Sequence, residues 1–227
     1  MGVSGILAES ERLLHRPDEL YDAVAAGERP GPRVARLLAL SVFASVPFGM
    51  ACGAYVGGEQ IWITGAKMPV LFLFTLAVCA PLLSMIVLLA GLKLSVLQSI
   101  EVALISIAAT SVCLGSLTPV MLLFSLSLRL WNYQHYVFLL LLLTASVGLS
   151  GLVSLRFAWR ALGRLGAGAA RVRILVAWLV VYQFVGCQVA WVLRPFVGSS
   201  SDTIRFEGNI YEAIPMLVRN FFHGMGG

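Results

Sequence analysis

Apolar runs of roughly 20 residues recur along this chain, and each is about what a helix needs to cross the ~30 Å hydrocarbon layer of a bilayer. They begin near Leu38, Lys67, Val96, Tyr136 and Ile174. Runs this continuous do not alternate as barrel strands do, and a backbone facing lipid must satisfy its own hydrogen bonds, which a helix does. The sequence therefore predicts an all-α fold, a polytopic transmembrane helix bundle of five spans with amphipathic helices at both ends. Composition agrees: of 227 residues, 59% are hydrophobic and 12% charged, against about a quarter charged in soluble domains. Soluble, disordered and collagen-like classes are excluded. So is a secreted disulfide scaffold, because Cys52, Cys79, Cys113 and Cys187 all fall inside apolar runs, on four different spans.

The first span is expected over residues 38–57, after a breaker formed by Pro30, Gly31 and Pro32. A polar loop at 58–65 leads to the second span, 67–91, with Pro81 inside it. The third, 96–126, exceeds a straight crossing, so tilt or a break at Pro119 should absorb the excess. After a loop at 128–134 comes the fourth span, 136–155, then an arginine-rich loop and the fifth span, 174–193. Splitting the third run would put the arginine-rich loop on the other side of the membrane.

Charge gives the orientation. With five spans, Arg12, Arg16, Arg29, Arg33, Arg36, Lys93, Arg156, Arg160, Arg164, Arg171 and Arg173 share one side, while Lys67, Arg129, Arg194, Arg205 and Arg219 share the other. Positive charge near span ends marks the cytoplasmic face. The expectation is a bacterial inner-membrane protein with its N-terminus in the cytoplasm and its C-terminus in the periplasm. The formal net charge of +5 is thereby accounted for by topology. No basic, aromatic-interleaved groove for nucleic acid is left over.

Three regions follow. Residues 1–33 form a cytoplasmic amphipathic segment, not a signal peptide, since it contains Glu9, Glu11, Asp18, Glu19, Asp22 and Glu28 and no apolar core. Two short helices are expected there, over 4–15 and 18–26, the second with Asp18 as its N-cap. Ile6, Leu7, Leu13 and Leu14 can share a face of the first, and Leu20, Tyr21 and Val24 a face of the second. Such helices lie on the membrane surface or on the loops of the same protein. Residues 34–196 form the five-span domain, closed by an interface anchor at Trp191 and Arg194 and a stop at Pro195. Residues 197–227 form a periplasmic tail in which Ile210, Tyr211, Ile214, Leu217, Val218, Phe221 and Phe222 follow a helical period.

Few residues inside the spans can carry chemistry. Glu101 is the one carboxylate in an apolar run, and an ionisable group there is a functional candidate by default. Its place near a helix N-terminus also suits a carboxylate held by the helix dipole and interfacial water. On that reading Glu101→Gln changes little. Gln183, Cys187, Trp191 and Arg194 lie on one face of the fifth span, with Gln188 on a neighbouring face; an amide in lipid needs a partner, which is more often a neighbouring helix than a ligand. Ser45, Gly49, Gly53 and Gly57 form a small-residue ladder on the first span that lets another helix approach closely. The spacing leaves open whether that helix belongs to this chain or to another subunit. Ser99, Ala103, Ser106, Thr110 and Cys113 repeat the pattern on the third span, and Ser146, Ser150 and Ser154 on the fourth.

His15, His135 and His223 are scattered, with no second ligand at useful spacing. No metal or cofactor is expected. A phosphate-binding glycine loop, GxSxG and HExxH are also lacking, so the residues suggest no enzyme. Five spans with a cytoplasmic N-terminus resemble the Yip1-like membrane proteins and the bacterial inner-membrane proteins grouped loosely with them. Glu19-Leu20-Tyr21-Asp22 is the string nearest to that family's Asp-Leu-Tyr-Gly-Pro element. The resemblance implies a five-span outline. The function expected is a non-catalytic membrane subunit, a scaffold or accessory protein in contact with the bilayer and with other subunits or further copies of itself. The competing reading is a small transporter or channel in which Glu101 and Gln183 touch the solute or ion.

Overall fold

The computed structural model describes residues 3–27, 30–92, 94–128, 133–194 and 196–197. Seven helices follow in order: α1 (Val3–His15), α2 (Pro17–Ala25), α3 (Pro30–Gly53), α4 (Gln60–Leu89), α5 (Val96–Ser127), α6 (Tyr133–Arg164) and α7 (Ala170–Leu193). Among the described residues there is no strand. Helices α3 to α7 are each long and apolar enough to cross a membrane, so the chain is a multi-pass membrane protein. The expected amphipathic tail, from Ile210 to Phe222, lies outside the described residues.

Span number and order are as expected, while the helix ends differ, for physical reasons. Pro30, Gly31 and Pro32 do not stop the chain; they form the first turn of α3, where a missing N–H leaves no helical bond unmade. Gln60 to Lys67, expected as a loop and span edge, already belongs to α4. Pro119 causes no break, because α5 runs through it for 32 residues. Arg156, Arg160 and Arg164 are not in a loop: α6 continues through them, also for 32 residues. The turn to α7 is only 165–169, which is made feasible by Gly166 and Gly168 at φ 78° and 47°. At α2, Arg16 occupies the cap position without a side-chain bond and Pro17 is in the first turn. Asp18 is thus inside the helix and not its N-cap.

Helix α5 is the axis of the bundle. The buried share of its apolar stretch is 67%, against 39% for α3 and α4, 33% for α6 and 11% for α7. It packs mainly on α3 and α6, α4 packs on α3, and α7 lies outside, chiefly against α4. There Tyr182 donates from its hydroxyl to the Phe72 carbonyl at 3.2 Å. Between α5 and α6, Phe124 and Phe138 meet edge to face with centroids 5.2 Å apart. Hydroxyl groups in the spans are largely satisfied along their own helices, as with Ser41, Thr75 and Thr110, each bonded to the carbonyl four residues back.

Candidate functional site

The structure gathers most of its charged side chains at one end of the bundle, where α1 and α2 fold back over the ends of α3, α5 and α6, with Glu59, Lys67 and Arg194 elsewhere. Leu13, Leu20, Tyr21 and Val24 are buried in that contact, whereas Leu14 is exposed and does not share the face expected for it. The side chains of Ile6 and Leu7 lie outside the described residues. Local structure holds this cap down. Ser95 and Gln98 form a reciprocal capping box at the start of α5, with Gln98 Oε1 accepting from the Ser95 N–H at 2.8 Å. The amide of the same Gln98 then donates to the Val24 carbonyl at 2.9 Å. One side chain both starts a span and fastens α2 to it.

Three ion-pair groups tie the cap and the first span to the rest. Arg164, at the end of α6, pairs with Asp22 at 3.0 Å and Asp18 at 3.5 Å. Arg36 approaches the buried carboxylate of Glu9 at 3.6 Å. Beneath the cap, Arg33 Nε donates to Glu101 Oε1 at 2.9 Å, their side chains retaining 6% and 0% of their accessible surface. Glu101 is therefore not an interfacial carboxylate held by water. It is the interior half of a lock between α3 and α5. The second oxygen, Oε2, has no hydrogen-bond partner among the described residues. Tyr21 is enclosed beside this cluster, and burial drives its phenol above the usual tyrosine range, against a smaller downward pull from Arg160.

The ladder residues face inward and meet backbone. A Cβ on Gly49 would stand 2.5 Å from the Thr64 carbonyl oxygen and 3.0 Å from the Gly65 Cα; one on Gly53 would stand 2.5 Å from the Gln60 carbonyl oxygen. The ladder is thus the seam between α3 and α4 of this chain. Ser45 is fully buried, its hydroxyl bonded to the Ser41 carbonyl at 2.7 Å. Gly57 lies past the end of α3 and serves the turn instead, at φ 84°. On α6, Ser146, Ser150 and Ser154 are buried. Ser154 bonds to the Gly151 carbonyl at 2.7 Å, while the Ser150 hydroxyl has no partner among the described residues.

The fifth-span candidates are elsewhere. Gln183 is exposed, near the middle of α7, its amide 3.5 Å from Cys187 Sγ. Gln188 is half-buried. The Arg194 guanidinium lies 3.6 Å from the centre of the Trp191 ring, the stacked geometry of a cation–π pair. Glu101 and Gln183 are not brought together, one being enclosed under the cap and the other on the outer surface of the outermost helix. All four cysteines are free thiols.

What sequence reasoning missed is the partner of Glu101. Arg33, Arg36 and Arg164 read as topology markers, Asp18 as an N-cap, and Glu9 and Asp22 only as acidic residues that argue against a signal peptide. The available signal was topological: the N-terminal segment, the start of α3 and the end of α6 all share one side, so opposite charges placed there can pair. Comparison of the chain with protein-family models, curated proteins and solved structures finds no match.

Proposed function

We propose that this chain is a non-catalytic integral subunit, a scaffold or accessory protein of a larger bacterial inner-membrane assembly, with its N-terminus in the cytoplasm and its C-terminus in the periplasm. The observation that carries the reading is the outer surface of α7. Only 11% of its apolar stretch is buried, yet it presents the exposed amide of Gln183 near its midpoint, between exposed Val180 and Phe184. A thiol is a weak acceptor, and an amide facing hydrocarbon is better satisfied by a polar group on another helix. Meanwhile the carboxylate that a transport mechanism would use is occupied by Arg33. With the Yip1-like proteins we propose a shared five-span outline and no shared activity.

Mild-detergent extraction of the full chain, followed by mass spectrometry of what co-purifies, tests the reading. A partner membrane protein, or a second copy, is expected in fixed proportion and should be lost in Gln183→Leu while the variant remains folded. A parent chain that purifies alone and conducts solute in liposomes would favour the transporter.

A further inference from the structure

Helices α6 and α7 touch only lightly, and at the arginine-rich end they leave an open groove of about 560 Å³, within the range of roughly 300–1,000 Å³ typical of ligand sites. Arg156, Trp159 and Arg160 line it from α6; Leu155, Val176 and Leu179 are among its apolar walls. The two arginines are four residues apart, so they project from one face a turn apart. Both are exposed. The Arg171 guanidinium stacks 4.6 Å over the Trp159 ring at the same place.

Depth is decisive. Helix α6 has 32 residues and so measures about 48 Å, overhanging a centred ~30 Å hydrocarbon layer by about 9 Å at each end. Arg160 then lies about 6 Å, and Arg156 about 12 Å, from the helix end. On that centred placement the pair brackets the boundary between headgroups and acyl chains, with the walls at Val176 and Leu179 on the side of the membrane centre. A guanidinium at that depth without a counter-charge is costly. The cap's carboxylates do not supply one: Asp18 and Asp22 engage Arg164. Among the described residues no Asp or Glu forms an ion pair with Arg156, Arg160, Arg171 or Arg173.

We propose that this groove is a binding site for one anionic phospholipid, its phosphate held by Arg156 and Arg160 and one acyl chain laid along Leu155, Val176 and Leu179. Arginine matches phosphate with a planar fork of donors, and basic pockets between spans on the cytoplasmic side are suited to anionic headgroups. Trp159 belongs at the interface for its amphipathic ring. The site occupies the first half of α7, ending about one turn before Gln183, and does not depend on the proposed subunit role.

The test is native mass spectrometry of the full chain, delipidated in detergent and then titrated with dioleoyl-phosphatidylglycerol or dioleoyl-phosphatidylcholine. The parent should retain one phosphatidylglycerol, and roughly tenfold less phosphatidylcholine, because both carry one phosphate but the choline cation neutralises it and is repelled by the arginines. Arg156→Gln/Arg160→Gln should lose that preference while keeping its thermal unfolding midpoint. Val176→Trp keeps both arginines but fills the groove, and it should lose the lipid as well; if the arginine variant does not fold, Val176→Trp decides alone. Equal retention of both lipids by the parent, or undiminished phosphatidylglycerol in either folded variant, overturns the proposal. So does a photo-crosslinker at Val176 that captures a protein segment in native membranes in place of lipid.

Discussion

Arg33 and Glu101 form a buried ion pair between two spans, and its energetics follow from burial. A buried pair contributes little net stability relative to apolar residues of similar size, yet removing one partner leaves an uncompensated charge and costs about 3–5 kcal/mol. The expectation from sequence that Glu101→Gln changes little is therefore replaced. Glu101→Gln should lower stability by about 3 kcal/mol, whereas Arg33→Met/Glu101→Leu should be less damaging than either single change. Thermal aggregation of the parent, Arg33→Met, Glu101→Leu and the double variant in detergent measures this as a double-mutant cycle. Additive losses would mean that the two groups do not depend on each other. The pairing was not legible in one sequence: a carboxylate at a span end fits interfacial water and an ion pair equally well, and only the packing of α3 on α5 distinguishes them.

Helices are where the sequence was most informative, and helix ends where it was least. Hydrophobic continuity located all five spans, because bilayer thickness sets a length that composition must meet. It could not locate Pro30, Gln60 or Arg164 as helical, since continuation beyond the hydrocarbon layer rests on proline's tolerance in a first turn and on docking of the polar ends. The Gly49 and Gly53 ladder was visible as a pattern; its partner, α4, was not. Packing of backbone against backbone makes a sharp contrast. Gly53→Leu should destabilise by ~3 kcal/mol through overpacking, while Gly148→Leu, where an added Cβ meets nothing within 4 Å, should leave the unfolding midpoint unchanged. Equal behaviour of the two variants would show that the seam tolerates a side chain.

At the scale of the molecule, two devices stand out: a cap closed over one end of the bundle and a loosely held outer helix. The cap depends on Gln98 and Arg164, so Gln98→Ala/Arg164→Ala should speed hydrogen exchange in α1 and α2 by roughly tenfold, about what the loss of two such bonds gives, with α5 still protected. Unchanged exchange would mean that the apolar contacts of Leu20, Tyr21 and Val24 suffice. For orientation, Ala169→Cys in the exposed α6 to α7 turn should react with an impermeant maleimide only from the cytoplasmic side; reaction only from the periplasm would reverse the topology. The subunit reading itself rests on α7, and site-specific photo-crosslinking in native membranes tests it most directly, with the probe at Gln183 and a control at Leu152, an exposed position on α6. The account predicts one discrete protein adduct from position 183 and only lipid from position 152. Lipid alone from both would contradict it.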